Sequence, residues 1–421
     1  MSHHSVTIIG AGTAGITVAA QLLKKNAKLD IAIIDPSKDH WYQPAWTLVG
    51  ADTFEMSDTR RDQKDLIPEG AKWIQQKVHQ LHPEENALTL DNGERITYDV
   101  LVVAPGVEMH LEGIEGLKEA MGKGGVCSNY IDPEYTRQVL KEFRGGNAIF
   151  TQAATPIKCG GAPQKIMYLA AELFKNTRVA DETNIVFATP GSVVFGVKEF
   201  LPALMNVINR HGITVKFFHN ITKIDPIEKK VYFKITTTDD SNCIAINDKQ
   251  SIGEEIVGEA TIVMRYDMLH LAPPQRAPQF VRDSPIAHKE GPNVGWANVN
   301  IHSMQNPDFP NVFALGDVAA LPTAKTGAAV RKQAPVVVDN IFKVLAGQPA
   351  DNEGYQGYSS CPLVTGYGKM VLAEFGYGNK RMSDPLISTF VDTTKEKYSM
   401  WLLKKYALPY MYWNLMLKGK A

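Results

Sequence analysis

A glycine-rich turn near the N-terminus constrains the fold of this 421-residue chain more than any other feature. The apolar segment Val6-Thr7-Ile8-Ile9 leads directly into Gly10-Ala11-Gly12-Thr13-Ala14-Gly15, and a stretch with helical apolar spacing follows. The first glycine permits a tight turn, the second lets the backbone approach a pyrophosphate, and the third lets helix and strand pack closely. The sequence therefore predicts a βαβ unit whose helix N-terminus faces the phosphates of a dinucleotide.

An acidic residue follows this unit at the distance that a dinucleotide site requires. The second predicted strand, residues 30–34, ends at Asp35, about 20 residues beyond the third glycine. A carboxylate at this place accepts hydrogen bonds from ribose hydroxyls. The predicted dinucleotide site therefore comprises Gly10, Gly12, Ala14, Gly15, Asp35 and Pro36.

Composition argues against several other classes of protein. The formal net charge is -1, so no general field attracts nucleic acid, and we expect no nucleic-acid partner. The four cysteines are widely spaced without a CxxC pair, which indicates neither a disulfide scaffold nor a metal site. No apolar run approaches the roughly 18 residues of a membrane span, and we expect neither a signal nor a transit peptide.

The sequence divides into two α/β halves and a C-terminal segment. Residues 1–110 and 306–390 are predicted to form a first dinucleotide-binding domain, and residues 111–305 a second, Rossmann-like domain. Within the second domain, residues 236–260 are rich in Thr, Asp, Ser, Asn and Gly, which predicts an exposed hairpin or excursion. Residues 391–421 form the separate C-terminal segment.

Two short motifs indicate which dinucleotide the first domain binds. A strand predicted over residues 310–317 ends in Gly316-Asp317 before a helix, and Val103-Ala104-Pro105-Gly106 ends another strand. With the N-terminal turn, these motifs resemble the glutathione-reductase-like flavoproteins, in which such a Gly-Asp contacts the ribityl and phosphate part of FAD. The resemblance implies two Rossmann-like domains and a FAD site that also includes Ala104, Pro105, Gly106, Gly316 and Asp317.

The second domain departs from that family at one motif. Members that use NAD(P)H carry a second GxGxxG after the strand of this domain, whereas this chain has Thr189-Pro190-Gly191-Ser192-Val193-Val194-Phe195-Gly196. Pro190, Val194 and Phe195 would crowd a backbone that has to approach a pyrophosphate. We therefore expect a Rossmann-like fold without a functional nicotinamide site, and an electron donor other than NAD(P)H.

Two of the cysteines lie in segments suited to chemistry. Cys159 lies on a glycine turn before a predicted helix over residues 162–175, where the helix N-terminus and the nearby Lys158 and Lys165 would lower the pKa of a thiol. Glycines and a proline flank Cys361, as expected where a backbone approaches a flat cofactor. Cys243 falls in the polar excursion and is expected to be incidental.

The segments around these two cysteines, with Thr323-Ala324-Lys325-Thr326 between them, resemble the sulfide:quinone oxidoreductases, most of all the group that includes the mitochondrial enzymes. The resemblance covers nearly the whole chain. It implies a Cys159–Cys361 disulfide that hydrogen sulfide opens, with a persulfide left on Cys361 and a thiolate on Cys159 that reduces FAD. It also implies ubiquinone or menaquinone as electron acceptor, and sulfite, a small thiol or further sulfide as acceptor of the sulfane sulfur.

Two further residues are candidates for accessory roles in the family's chemistry. Lys325 follows the Gly316-Asp317 turn and is expected near the flavin or the quinone. Cys127 lies in a region where bacterial branches of the family have a third cysteine, whereas the mitochondrial-like branch manages with two. A homo-oligomer is compatible with this interpretation.

The C-terminal segment combines positive charge with aromatic side chains. Residues 395–420 contain six lysines and the single acid Glu396, interleaved with Trp, Tyr, Met and Leu, and Pro409 is predicted to split the segment into two short helices. Basic and aromatic residues together are typical of a bilayer interface. We expect peripheral, monotopic docking on a prokaryotic inner membrane. The alternative is that the segment packs on the core or on a second subunit.

Two other functions remain compatible with the sequence. A type II NADH:quinone dehydrogenase shares the fold and the membrane docking, but it needs a nicotinamide site and has no need of the cysteines. A non-catalytic flavoprotein that serves as a redox-responsive docking module would keep the cofactor without turnover.

Overall fold

The computed structural model describes residues 2–239 and 242–421. Its β-strands are, in chain order, β1 (Ser2–Ile9), β2 (Ile31–Ile34), β3 (Asp39–Trp41), β4 (Arg60–Asp62), β5 (Ala71–Ile74), β6 (Val78–His82), β7 (Ala87–Leu90), β8 (Arg95–Val103), β9 (Glu108–Met109), β10 (Val126–Cys127), β11 (Gly146–Thr151), β12 (Thr183–Ala188), β13 (Thr214–Lys216), β14 (His219–Asp225), β15 (Lys230–Ile235), β16 (Ala245–Ile246), β17 (Glu255–Val257), β18 (Thr261–Arg265), β19 (Met268–Leu271), β20 (Gln275–Arg276), β21 (Val312–Ala314), β22 (Ser359–Gly366) and β23 (Lys369–Phe375).

The α-helices are α1 (Thr13–Lys25), α2 (Trp46–Gly50), α3 (Leu117–Ala120), α4 (Pro133–Glu142), α5 (Ala162–Asn176), α6 (Leu201–Arg210), α7 (Gln279–Arg282), α8 (Gly327–Leu345), α9 (Pro385–Phe390), α10 (Tyr398–Leu402) and α11 (Leu408–Met411). Strands and helices alternate around two largely parallel sheets, which confirms the predicted α/β fold class.

The first sheet has the strand order β5-β2-β1-β8-β7-β6. Its centre is parallel, and the second half of β1, β2 and the second half of β8 are rich in Val, Ile and Leu because helices or loops cover both faces. Strand β21 joins this sheet by pairing in parallel with the end of β8. This pairing brings the Gly316-Asp317 turn beside the N-terminal glycine turn, as expected if residues 306–390 complete the first domain.

The second sheet has the order β10-β19-β11-β12-β13-β16, and all its pairs are parallel except that of β16 with β13. A separate antiparallel sheet, β14-β15-β18-β17, adjoins it. The predicted excursion over residues 236–260 supplies β16 and β17, and Ile256 in it is 79% exposed. Residues 240 and 241 of the excursion lie outside the described part of the chain.

The hairpin of β22 and β23 packs against α5. Its register pairs Cys361 with Ala373, Ser360 with Glu374 and Pro362 with Leu372. Cys361 belongs to the same buried cluster as the apolar residues of α5, so this contact carries Cys361 to the helix that follows Cys159.

The C-terminal segment is helical without interruption from residue 398 to residue 416, which we call the C-terminal helix. The prediction that Pro409 divides it is wrong. Pro409 lies in the first turn of α11, between π-helical segments at residues 403–407 and 412–416. The π-helical turn before Pro409 is wider than an α turn, which relieves the clash between a proline ring and the carbonyl of the preceding turn, so the helix continues.

One side of the C-terminal helix is packed on the protein. Met400 and Trp401 join the core cluster that contains α5, and Tyr412 and Met416 join the cluster around α1. Nowhere in residues 2–239 and 242–421 does a helix combine the length and apolarity needed to cross a bilayer.

Candidate functional site

A cavity of about 600 Å³ lies where the N-terminal glycine turn, the Cys159 turn, the Gly316-Asp317 turn and the C-terminal helix meet. Most of the predicted cofactor residues line it, namely Gly12, Ala14, Asp35, Ala104, Pro105, Gly106, Gly316, Asp317 and Lys325. Cys159 lines it as well. Gly10, Gly15 and Pro36, all within the described residues, are not among the residues that line it; Gly10 and Gly15 are buried, and Pro36 is exposed.

The three glycines of the N-terminal turn have different physical reasons for lacking a side chain. Gly10 has a φ of +95°, and a Cβ there would collide with the carbonyl oxygen of Ala104. A Cβ on Gly15 would collide with the carbonyl oxygen of Gly10. A Cβ on Gly12 would meet no atom within 4 Å, so Gly12 leaves its side of the turn open to the cavity.

Asp35 is fixed at the end of β2 by two backbone groups. Its carboxylate accepts hydrogen bonds from the amide of Ala11 at 2.6 Å and from the amide of Ser37 at 2.8 Å. Burial raises the pKa of Asp35, and the two hydrogen bonds oppose that shift. The open face at Gly12, the oriented carboxylate and the size of the cavity together fit a dinucleotide of the FAD type.

The turn that carries Cys159 is held in a backbone conformation that few non-glycine residues adopt. Cys159 has a φ of +49°, its amide donates to the carbonyl oxygen of Lys325 at 2.8 Å, and its carbonyl accepts from the hydroxyl of Tyr130 at 3.0 Å. Such a conformation persists only where its surroundings hold it, and it is common at active sites. These bonds fix the direction of the thiol.

Cys159 and Cys361 come together beside a buried lysine. Nζ of Lys165 lies 3.0 Å from Sγ of Cys159, and the two thiols are close enough to shift each other's pKa. Gly161 makes the approach possible, because a Cβ there would lie 2.5 Å from Sγ of Cys361. The neighbouring thiol of Cys361 and the charge of Lys165 hold the pKa of Cys159 well below its usual range, while the neighbouring Cys159 raises that of Cys361. The pair therefore stores its negative charge on Cys159.

The C-terminal helix contributes a second buried lysine, which is one of the six lysines of residues 395–420. Lys404 is only 3% exposed, and its Nζ donates to the carbonyl oxygen of Pro44 at 2.7 Å. Burial and the charge of Lys165 lower the pKa of Lys404 to about 7. The charge of Lys404 also favours the thiolates of Cys159 and Cys361.

The spacing of residues along the helix could have predicted that Lys404 is buried. The buried side of the helix includes residues separated by four or eight positions, namely Met400, Lys404, Tyr412 and Met416. The exposed side has residues at intervals of four, namely Tyr398, Leu402, Tyr406 and Tyr410. A helix that mixes α turns of 3.6 residues with wider π turns averages about four residues per turn, so residues four apart share a side. Lys404 therefore lies on the buried side of the C-terminal helix.

Tyr412 ties the same helix to the N-terminal glycine turn. Its hydroxyl lies 2.8 Å from Oγ1 of Thr13 and 2.6 Å from Nε2 of His40. Burial lowers the pKa of His40 to about 4, so the ring is neutral, and its Nδ1 donates to the carbonyl oxygen of Ala11 at 3.1 Å. The helix is thus joined by hydrogen bonds to the residues that begin α1.

Asp317 and Lys325 lie together inside the cavity wall. Burial raises the pKa of Asp317, and the charges of Lys158 and Lys325 oppose this. Nζ of Lys325 donates to the carbonyl oxygen of Ala319 at 2.8 Å and lies 4.1 Å from the centroid of the Trp296 ring. Burial lowers the pKa of Lys325 to about 8.

Comparison with known proteins agrees with this geometry. The family described as pyridine nucleotide-disulphide oxidoreductase matches residues 4–336. The chain is 38% identical to the mitochondrial sulfide:quinone oxidoreductase of Mus musculus, over 99% of this chain and 87% of that protein, and 38% identical to the one of Dictyostelium discoideum, over 99% and 86%. The chain belongs to the sulfide:quinone oxidoreductases. A flavin cofactor follows from this membership.

Two more distant relatives bear on the fold and on the alternatives. The structure of the sulfide:quinone oxidoreductase from Aquifex aeolicus superposes with a TM-score of 0.78 at 19% identity, covering 100% of this chain and 92% of that one. A type II NADH:quinone oxidoreductase of Staphylococcus haemolyticus is 32% identical over 83% of this chain and 85% of that protein.

Cys127 does not line the cavity that contains Cys159. It is buried in β10 within the core cluster. Burial raises the pKa of its thiol to about 12, so the thiol stays neutral. Cys243 is exposed, and its Sγ lies 3.2 Å from the carbonyl oxygen of Ala245. We therefore assign no chemical role to either residue.

The second domain is closed where a nicotinamide dinucleotide would be held. Phe195 packs edge-on against Phe200 and Phe375, and a Cβ on Gly196 would lie 2.9 Å from the side chain of Asn379. At the end of β13, where an acid would accept bonds from a ribose, the buried Lys216 pairs with Asp248 at 2.8 Å and Glu254 at 2.6 Å. These contacts favour the expectation that NAD(P)H does not bind there.

Gly12 and Gly15 have different surroundings, so substitution of the first should affect flavin binding and substitution of the second should affect stability. Gly12→Val should fold normally, because its Cβ meets open space, but should purify without flavin because the side chain enters the cofactor region. Gly15→Val should lose about 2–3 kcal/mol of stability or more, because its side chain meets backbone. Flavin content by absorbance and unfolding midpoints check both, and a full flavin complement in Gly12→Val would contradict the assigned site.

The contact between Lys165 and Cys159 predicts a pH dependence. Because the depressed pKa keeps Cys159 ionised to a lower pH than an ordinary thiol, Lys165→Met should move its ionisation to higher pH. The ultraviolet absorbance of the thiolate, followed against pH in reduced enzyme, measures this. Lys175→Met, an exposed lysine on the same helix, serves as the control, and equal titration curves for both variants would refute the contact.

Proposed function

We infer that this protein oxidises sulfide and passes the electrons to quinone, with FAD as its flavin. The observation that carries this inference is the pair of Cys159 and Cys361 beside Lys165, at the wall of a cavity that fits a dinucleotide, in a chain similar along its length to curated sulfide:quinone oxidoreductases. Gly12, Asp35 and Asp317 would hold the cofactor. When bound, FAD takes two electrons from the cysteine pair and delivers them to quinone.

The chain's own residues explain the sulfur chemistry. Hydrosulfide attacks the sulfur of Cys361 in a Cys159–Cys361 disulfide, the disulfide bond breaks, and its electron pair leaves on Cys159. Cys361 then carries the added sulfur as a persulfide. Exchange is faster when the leaving sulfur has a low pKa, and Lys165 provides this at Cys159. Lys404 adds a second positive charge near the pair.

A second nucleophile has to remove the sulfane sulfur before the disulfide can form again. Sulfite, a small thiol or further sulfide would attack the outer persulfide sulfur and leave Cys361 as a thiol. Two electrons then leave the two thiols as the disulfide closes. The quinone, ubiquinone or menaquinone, receives those electrons at the end of the sequence.

The cysteine pair predicts a characteristic pattern among serine variants. Cys159→Ser or Cys361→Ser should each cost about 3–4 kcal/mol of transition-state stabilisation, roughly 100- to 1000-fold in rate, because two sulfurs of one disulfide act as a unit. Cys243→Ser should be silent and Cys127→Ser mild. The measurement is sulfide-dependent quinone reduction at matched flavin content. Near-normal turnover in Cys159→Ser or Cys361→Ser would contradict the disulfide mechanism.

An NADH:quinone activity is the second candidate, because a type II NADH:quinone oxidoreductase is also among the similar proteins. The same flavin-loaded sample separates the two functions when sulfide and NADH are added anaerobically to parallel portions. Bleaching by sulfide alone supports the first function. Rapid bleaching by NADH together with none by sulfide would reverse the assignment, and bleaching by neither would favour a non-catalytic flavoprotein.

The outer side of the C-terminal helix supports docking on a membrane surface. Tyr398, Leu402, Tyr406 and Tyr410 form an exposed row, and Leu386 and Phe390 of α9 are 73% and 82% exposed. Aromatic and apolar side chains of this kind suit a bilayer interface. The helix therefore combines both interpretations of the sequence, because one side packs on the core and the other is free for lipid. The curated relatives at 34–38% identity are mitochondrial, so they lend no support to a prokaryotic inner membrane.

This surface predicts which residues control binding to vesicles. Leu386→Glu with Phe390→Glu should weaken binding to phospholipid vesicles and slow reaction with a long-tailed quinone, while sulfide still bleaches the flavin. Ile227→Glu is the matched control, since Ile227 is 89% exposed on the second domain. Co-sedimentation with vesicles measures the effect, and unchanged binding of the double variant would contradict the assigned face. Truncation after Val391 would not test the membrane-facing surface alone, because it also removes Lys404 and Tyr412 from the cavity wall.

A further inference from the structure

Strand β22 has two faces with different surroundings. Successive side chains of a strand point to opposite faces. Cys361 and Leu363 face Gly161, the residue before α5, because a Cβ on that glycine would meet the side chains of both. Tyr358, Ser360 and Pro362 line the cavity instead. The sulfur that receives hydrosulfide therefore lies on one face of the strand, and the other face forms a separate part of the cavity wall, which we call the second wall.

The second wall combines apolar side chains and two hydroxyls with one acidic side chain, that of Glu374. In β23, Leu372 pairs with Pro362 and Glu374 pairs with Ser360, and Ile387 of α9 completes the wall. Helix α9 also carries the exposed Leu386 and Phe390. The second wall therefore adjoins the surface proposed to meet the membrane, which is where an apolar quinone would enter.

Glu374 is a buried acid without an ion pair among the described residues. It is only 3% exposed. Its Oε1 accepts a hydrogen bond from the hydroxyl of Tyr358 at 2.6 Å, and its Oε2 accepts one from the amide of Asp384 at 2.9 Å. A buried carboxylate is costly unless it is paired, so a buried acid in a cavity wall is a candidate for a functional group.

The hydroxyl of Tyr358 connects this acid to a more accessible part of the protein. Nζ of Lys332, an exposed residue of α8, lies 5.8 Å from the centroid of the Tyr358 ring. Tyr358, Glu374 and Arg331 all line the cavity. A proton can thus pass between the carboxyl of Glu374 and the hydroxyl of Tyr358 over one hydrogen bond of 2.6 Å.

The reaction needs such a proton. Reduction of a quinone takes two electrons and two protons. When hydrosulfide and an anionic sulfur acceptor are the other reactants, hydrosulfide brings one proton, and the second has to come from solution. A proton carrier is therefore required at a quinone that sits in an apolar chamber.

We propose that Tyr358 and Glu374 form the proton relay that protonates the quinone as it is reduced, an inference that rests on the proposed function. The O–H bond of Tyr358 breaks as its proton passes to the reduced quinone oxygen. The phenolate takes a proton from the carboxyl of Glu374, and a proton from solution restores that carboxyl. The electrons come from the sulfide half of the reaction, so the relay supplies protons alone.

Two variants and two electron acceptors test the relay. Tyr358→Phe and Glu374→Gln should be bleached by sulfide as fast as wild type, because the cysteine face is untouched. Reoxidation by a water-soluble quinone should slow about 100-fold, the usual contribution of a positioned acid. Reoxidation by ferricyanide, which takes electrons without protons, should keep its wild-type rate. Tyr367→Phe, a hydroxyl at the far end of β22 that bonds to Ala51, is the matched control and should change neither rate.

The outcomes separate this proposal from the proposed function. Wild-type quinone reoxidation in both variants would overturn the relay, and so would equal slowing with ferricyanide, because that result indicates a structural defect. The same reoxidation can be started from enzyme reduced with dithionite, without sulfide. A wild-type enzyme that sulfide fails to bleach would overturn the proposed function, whereas the dithionite experiment would still report on the relay.

Discussion

The contact between Lys165 and Cys159 is the interaction on which the site depends. Lys165 is 2% exposed, and an unpaired ammonium at such depth costs several kcal/mol. The thiolate of Cys159 is the anion that compensates it at 3.0 Å. Although burial would lower the pKa of Lys165, the neighbouring sulfurs raise it, so the lysine stays charged while Cys159 ionises. One buried charge pair thus determines which of the two sulfurs leaves in exchange.

The C-terminal helix connects this charge pair to the rest of the molecule. Its mixture of α and π turns keeps residues four apart on one side, so Lys404 and Tyr412 both face inward. Lys404 adds positive charge near the sulfurs, and Tyr412 bonds to Thr13 and His40 beside the glycine turn. The opposite side remains exposed and aromatic. The C-terminal helix therefore has two roles, since its buried side lines the cavity and its exposed side is free to meet a membrane.

The alternation of side chains along β22 separates the two halves of the chemistry. Cys361 points to α5 and Lys165, while Tyr358 and Glu374 belong to the second wall near α9. The sulfur chemistry depends on positively charged lysines that stabilise a thiolate. A quinone is apolar and is better matched by Pro362, Leu372 and Ile387 of the second wall. One strand meets both needs because its two faces differ, and the buried acid on the quinone side is bonded to a tyrosine and a backbone amide instead of a cation.

The α/β class, the glycine turn with Asp35 and the turn that carries Cys159 could be predicted from the amino-acid order, because each depends on residues close together in the chain and on backbone conformations that few residue types allow. The pairing of Cys159 with Cys361 came from resemblance. The inward positions of Lys404 and Tyr412, the place of Cys127 in the core and that of Glu374 in the cavity wall became visible only in the folded chain. Their environments are made by segments far apart in sequence, so burial and charge at these positions arise only when the packed sheets and the C-terminal helix bring those segments together.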